Sequence, residues 1–107
     1  MDNLDSTVNK LIILYIFDAI EMPLAEDSIV DICYYDLKCM QYIDCKEAIA
    51  NLLDAGLIVD ADGAGKATYN ITRDGYECLK HFYTRIPSHY RDQIMTYCKE
   101  NRLNLRK

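Results

Sequence analysis

The sequence predicts a mostly helical α+β fold in a single domain, and the prediction has three sources. Apolar residues recur at spacing three and four over five separate stretches of the 107-residue chain, the pattern of amphipathic helices. Two β-prone runs, Leu57-Ile58-Val59 and Ala67-Thr68-Tyr69-Asn70-Ile71, flank a loop of turn formers, which reads as a hairpin. Half of the residues are apolar, with two prolines and four glycines, enough for one core and too few breakers for a low-complexity linker.

The first helix is expected from Ser6 or Thr7, both good N-caps, to about Ile20. Val8, Leu11, Ile12, Tyr15 and Ala19 form one stripe toward the core. Ile13, Ile16, Phe17 and Ile20 form a second apolar stripe on the far side, and a helix that is apolar nearly all round must be covered twice. A second helix or a partner chain has to supply that cover. Met22-Pro23-Leu24 forces an extended link, because the residue before a proline is pushed out of the helical region.

A short second helix is predicted over Glu26 to Tyr34, with Glu26, Asp27 and Asp31 early, where a helix dipole favours acid, and Ile29, Ile32 and Cys33 inward. A polar turn around Tyr35 to Gln41 follows. Asp44-Cys45-Lys46-Glu47 has the form of a capping box, so a third helix is expected from Asp44 to Asp54. Its inner side is Cys45, Ala48, Ile49, Leu52 and Leu53, its solvent side Lys46, Glu47, Ala50, Asn51 and Asp54, and Gly56 suits the left-handed position after it.

After the hairpin, Thr72 can cap a fourth helix with Tyr76, Leu79, Phe82, Tyr83 and Ile86 along its stripe, and Gly75 permits a close backbone approach. Pro87 ends it. Ser88 is expected to cap a fifth helix with Tyr90, Ile94, Tyr97 and Cys98 inward, fraying through Arg102 to Lys107. The tyrosines at 69, 76, 83, 90 and 97 recur every seven residues, but Pro87 interrupts any coiled coil and Tyr69 belongs to a strand. Gly63-Ala64-Gly65 lacks the long strand and following helix of a phosphate loop and is read as the hairpin tip. Asn70-Ile71-Thr72 matches a glycosylation triplet that is idle in a cytoplasmic chain.

Helix, extended link, helix, turn, helix, hairpin and helix resembles the winged helix-turn-helix arrangement. Leu53-Asp54-Ala55-Gly56-Leu57-Ile58, followed by Tyr69-Asn70-Ile71-Thr72-Arg73-Asp74-Gly75-Tyr76, looks like the recognition-helix exit and wing-to-helix junction of bacterial winged-helix regulators. Leu11-Ile12-Ile13-Leu14-Tyr15-Ile16-Phe17-Asp18 with Met22-Pro23-Leu24, and later Phe82-Tyr83-Thr84-Arg85-Ile86-Pro87, resemble a winged-helix family of clostridia and their relatives, described as a domain of unknown function. The resemblance covers about Asn9 to Asn101. Members of that family are usually longer, continuing into a β-rich portion, so the chain is expected to match their N-terminal part. The resemblance implies a winged-helix core over residues 1–75, two C-terminal helices over 76–107 packing on it and dimerising, and a transcriptional regulator that binds double-stranded DNA as a homodimer.

Charge cuts across that implication. The net charge is −5 and the isoelectric point near 4.8. Up to Ile71 four basic residues face thirteen acidic ones, a net −9, whereas from Thr72 onward eight face four, a net +4. Affinity for a duplex comes largely from phosphate neutralisation, so the DNA-reading half is the acidic one. The residues expected to meet DNA are Lys38, Tyr42, Lys46, Asn51, Lys66 and Arg73, with Asn51 suited to adenine and Lys46 to guanine or phosphate. The residues expected at a homodimer interface are Ile13, Ile16, Phe17, Ile20, Tyr90, Ile94 and Tyr97. The alternative is an acidic winged-helix module that binds a basic protein partner and no DNA.

Other classes find little support. His81 and His89 have no carboxylate partner at a useful spacing, so no catalytic constellation is present, and no cofactor is implied. Cys33, Cys39 and Cys45 stand six residues apart, but zinc sites bring their ligands in close pairs, so no metal is expected. The odd cysteine count of five argues against a disulfide framework. Tyr15, Tyr76, Tyr83, Tyr90 and Tyr97 suit an aromatic ligand between the terminal helices, although packing is the more ordinary use. No apolar run reaches the ~20 residues a membrane span needs, and an acidic start where a secretory signal is basic points to the cytoplasm.

Overall fold

The computed structural model describes residues 6–61 and 68–105, with side chains as far as Asn101. Helix α1 (Ser6–Ile20) is the centre of the molecule: Leu11 through Leu14, Ile16, Phe17, Ala19 and Ile20 are all buried. Its far stripe is covered within the chain, because α1 packs against α3 (Tyr42–Asp54), α4 (Arg73–Phe82) and α5 (Ser88–Leu105) together. Full burial of an isoleucine or leucine side chain contributes about 1.5 to 3 kcal/mol, so this helix is the main source of core energy.

That arrangement corrects the expected dimer interface. Ile13, Ile16 and Ile20 have no exposed surface, Phe17 retains 2% and Ile94 1%. Tyr90 and Tyr97 are half-buried against the same core. The cover comes from α5 lying on α1, so Ile13, Ile16, Phe17, Ile20 and Ile94 hold one chain together, while Tyr90 and Tyr97 keep part of their surface.

Past α1 the chain reverses through Glu21, a left-handed residue at φ 63°, whose amide donates to the Phe17 carbonyl at 3.0 Å. The expected extended link is there, and it is also a strand. β1 (Leu24–Ala25) pairs antiparallel with β3 (Thr68–Ile71), Leu24 opposite Tyr69, and β2 (Ile58–Asp60) pairs antiparallel on the other side of β3, Ile58 opposite Ile71. The sheet order is β1-β3-β2, so a strand from the first third of the chain closes the hairpin.

The boundaries of the second and third helices differ from expectation. α2 (Glu26–Val30) runs on into a π-helical turn over Asp31–Asp36, which takes in Tyr35, the expected start of the polar turn. The Leu37 amide reaches back to the Ile32 carbonyl at 2.8 Å and the Cys39 amide to the Cys33 carbonyl at 2.9 Å, a wide spiral that π-bulges show. α3 then starts at Tyr42: extended Gln41 precedes it, and the Gln41 carbonyl accepts the Cys45 amide at 2.9 Å. Asp44 is therefore not the N-cap but a first-turn acid, still favourably placed on the dipole.

The exit of α3 follows the sequence reading. Gly56 is left-handed at φ 76°, and the amides of Gly56 and Leu57 close back on the carbonyls of Leu53 and Leu52 at 3.1 and 2.9 Å, a Schellman motif. Thr72 caps α4, its Oγ1 accepting the Gly75 amide at 3.0 Å while its hydroxyl lies 2.8 Å from the Gly56 carbonyl and 3.0 Å from that of Leu57. At Gly75 a Cβ would collide with the Leu57 carbonyl oxygen and sit 2.9 Å from Ile71 Cγ1. The end of α3, the hairpin and the start of α4 thus meet at one joint.

Of the predicted α4 stripe only Leu79 and Ile86 are buried; Tyr76, Phe82 and Tyr83 are exposed. The chain leaves α4 at Phe82 into a 3-10 turn over Tyr83–Arg85, and each of the three exposed rings has a cation over it. Lys80 lies 5.7 Å from the Tyr76 ring centre, Arg85 5.3 Å from Phe82 and Arg91 5.4 Å from Tyr83. Ser88 is the first helical residue of α5 and not its cap: the Pro87 carbonyl accepts the amides of Tyr90 and Arg91 at 3.0 and 3.2 Å. The hairpin tip at Gly63-Ala64-Gly65, Lys66, and the last two residues of the expected fraying end lie outside the described residues.

Candidate functional site

The candidate surface is the outward side of α3. Cys45, Ala48, Ile49 and Leu52 are buried against the rest of the molecule, with Leu53 half-buried, so the helix is clamped along one side. Lys46, Glu47, Ala50, Asn51 and Asp54 are exposed along the other. Tyr42 and Lys46 sit one turn apart, the Lys46 ammonium 5.7 Å from the Tyr42 ring centre. Asn51 follows about 7.5 Å further along the axis at 1.5 Å per residue.

Two further cations bracket the helix. Lys38, left-handed at φ 52° and exposed, stands in the turn before α3. Arg73, exposed, follows Thr72, whose hydroxyl lies against the Gly56 carbonyl at the exit of α3. Tyr42 and Lys46 thus lie toward one edge of the exposed side of α3 and Asn51 toward the other, about 140° round the helix from Lys46, Lys38 and Arg73 lie toward the two ends, and Lys66 lies outside the described residues.

The electrostatics are less open than the sequence suggested. Lys46 Nζ is ion-paired to Glu26 Oε2 at the start of α2, and that hydrogen bond raises the Lys46 pKa, holding the ammonium charged. Asp44, Glu47 and Asp54 share α3 with it. A polar helix face with one cation already neutralised attracts phosphate weakly.

Several residues of this surface escaped the sequence reading. Ile43 is 66% and Tyr35 62% exposed, and Tyr34 is exposed as well. The Tyr34 ring packs edge-on against Tyr35 at 4.8 Å and against Tyr42 at 6.0 Å between ring centres. The signal for Ile43 depended on the helix start: beginning at Tyr42 places it on the outer side. Clustering of Tyr34 and Tyr35 with Tyr42 needs the π-helical turn, for which no local sequence signal exists.

The regular cysteine spacing has a structural origin. The wide turn brings Cys39 back onto Cys33, and Cys45 from α3 joins them in the core. Hydrogen bonding to Cys39 and Cys45, together with burial, pushes the Cys33 thiol well up, while acceptance from Cys33 lowers Cys39. None of the five cysteines is joined in a disulfide, and Cys33, Cys39, Cys45 and Cys98 are buried. Among the described residues no group of three His, Cys, Asp or Glu side chains is arranged to hold a metal ion.

The tyrosines near the terminal helices do not line one pocket. Tyr15, Tyr76 and Tyr83 border a cavity of about 250 Å³ with Asp18 and Lys80. Tyr97 borders another, of about 380 Å³, with Asp36, Asp92 and Glu100, and donates its hydroxyl to Asp36 Oδ2 at 2.5 Å. No helix among the described residues is long and apolar enough to cross a membrane.

No curated protein and no solved structure matches the chain. A family model described as a domain of unknown function, DUF4364, matches residues 9–107. Since that match runs through α1, the sheet, α3 and α5 alike, the chain belongs to the DUF4364 family.

Proposed function

We propose that this chain is a cytoplasmic winged helix-turn-helix regulator that binds double-stranded DNA as a homodimer, with α3 in the major groove and the β2–β3 hairpin beside it. What supports this reading is the order α1-β1-α2-α3-β2-β3 with sheet order β1-β3-β2, together with an α3 clamped on one side and free on the other. Recognition helices need that presentation. The joint of Gly56, Thr72 and Gly75 ties the base of the hairpin to the exit of α3.

In this reading Asn51 reads a base edge, Tyr42 packs on the backbone, and Lys38, Lys66 and Arg73 neutralise phosphates, with Lys46 joining them by exchanging Glu26 for a phosphate. The homodimer places two α3 helices ~34 Å apart, one turn of duplex. The large apolar side chains exposed on α4 and beyond, among the described residues, are Tyr76, Phe82, Tyr83 and Met95, and pairing would draw on these.

A second reading has one specific observation in its favour: Ile43 and Tyr35 are exposed beside an acidic α3 face whose lysine is already paired. That combination suits a basic protein partner. Fluorescence polarisation of a labelled genomic duplex pool over a salt series separates the two. The DNA reading expects a dissociation constant near ~10⁻⁵ M at physiological salt, tightening steeply as salt is lowered. A flat response at low salt, with a lysine-rich peptide bound instead, favours the protein partner.

A further inference from the structure

We infer that the cleft between α1, α4 and the Tyr83–Arg85 turn binds a small amphipathic carboxylate. The cleft has a volume of about 280 Å³, with walls from Leu11 and Leu14 of α1, Leu57 at the exit of α3, and Phe82 at the end of α4. Lys10 and Arg85 border it with Thr7 and Cys78, and among the described residues none lining it carries a carboxylate. In a chain of net charge −5, a largely apolar cleft whose charged lining residues, among those described, are both cations is a local reversal of sign. The cavity beside α5 shows the contrast, bordered by Asp36, Asp92 and Glu100.

The two cations suit a carboxylate in complementary ways. The Arg85 guanidinium lies 5.3 Å from the Phe82 ring centre, a stacked fork that can meet both oxygens of a carboxylate. Lys10 reaches the same mouth from α1 as a compact point charge. Leu11 and Leu14 are buried at 2% and 0% exposure, so the wall behind an apolar tail is fixed, whereas Phe82 is 43% exposed and gains cover when the tail enters. The volume of about 280 Å³ lies just below the ~300 to 1,000 Å³ of typical ligand sites, which suits a short monocarboxylate better than a long-chain lipid.

The cleft makes no use of the outer face of α3, so this inference stands apart from the DNA reading. Isothermal titration calorimetry of the full chain at low salt with octanoate, octan-1-ol and octylammonium tests it. Octanoate is expected to bind, octan-1-ol about tenfold more weakly for want of the charged contacts, and octylammonium not at all. Arg85→Gln and Lys10→Gln each weaken octanoate by about tenfold while leaving thermal unfolding and octan-1-ol unchanged, and Cys78→Phe, which fills the cleft wall, removes both ligands. Absence of octanoate binding at millimolar concentration, equal binding of octanoate and octan-1-ol, or unchanged octanoate affinity in the Lys10→Gln/Arg85→Gln double variant would each overturn it.

Discussion

Lys46, on the outward face of α3, is ion-paired to Glu26 at the start of α2. Both side chains are partly exposed, at 42% and 27%, and exposed pairs of this kind are worth ~0 to 1 kcal/mol. The pair is therefore cheap to exchange for a phosphate, yet it withholds one charge from the free protein. Glu26→Gln is predicted to tighten duplex binding about threefold, and Lys46→Gln to lower the salt dependence by about one phosphate contact. Polarisation with the same duplex pool checks this, and an unchanged slope removes Lys46 from the contact set.

Gly75 and Leu57 meet backbone to backbone, with no room for a side chain. Gly75→Ala is predicted to cost about 3 kcal/mol, because the clash is with a carbonyl that also receives Thr72. Gly56→Ala meets nothing within 4 Å and costs only the left-handed backbone strain, about 1 to 2 kcal/mol. Urea unfolding of both variants should reproduce that ranking.

Ile13 and Ile94 are core residues of one chain. Replacing either by alanine is predicted to cost about 2 to 5 kcal/mol in unfolding free energy, with no selective loss of self-association in sedimentation velocity. A variant that kept its stability and merely dissociated would return these residues to an interface between chains.

Burial first, and then the hydrogen bond and charge of Asp36, raise the Tyr97 hydroxyl above its ordinary 10.0. The folded state therefore holds this proton more tightly than the unfolded one, so the stabilisation is complete below pH 10.0 and is lost as pH rises through the folded value. Stability should fall in alkali above pH 10.0, and Tyr97→Phe should lessen that fall while costing about 1 kcal/mol at neutral pH. The remaining slope belongs partly to Tyr15, raised by burial.

What was legible in the sequence was local chemistry. Gly56, Thr72 and Gly75 each perform the backbone task their residue types suggested, and the apolar wheel of α1 named its buried stripes. The start of α3 was misplaced because Asp44 and Glu47 imitate a capping box, whereas extended Gln41 begins the helix three residues earlier. Periodicity showed that Ile13, Ile16, Phe17 and Ile20 need cover but not that α5, about eighty residues on, supplies it. The pairing of Lys46 with Glu26, the convergence of Cys33, Cys39 and Cys45, and the cations of Lys10 and Arg85 at one cleft all depend on tertiary placement. No local pattern encodes them.

The most direct measurement of the central claim is amide shift mapping of the ¹⁵N-labelled chain titrated with a duplex at low salt. The DNA reading predicts the largest shifts at Lys38, Tyr42, Lys46, Asn51 and Arg73, fading together as salt is raised. Shifts absent from that set, or confined to α5, would contradict it.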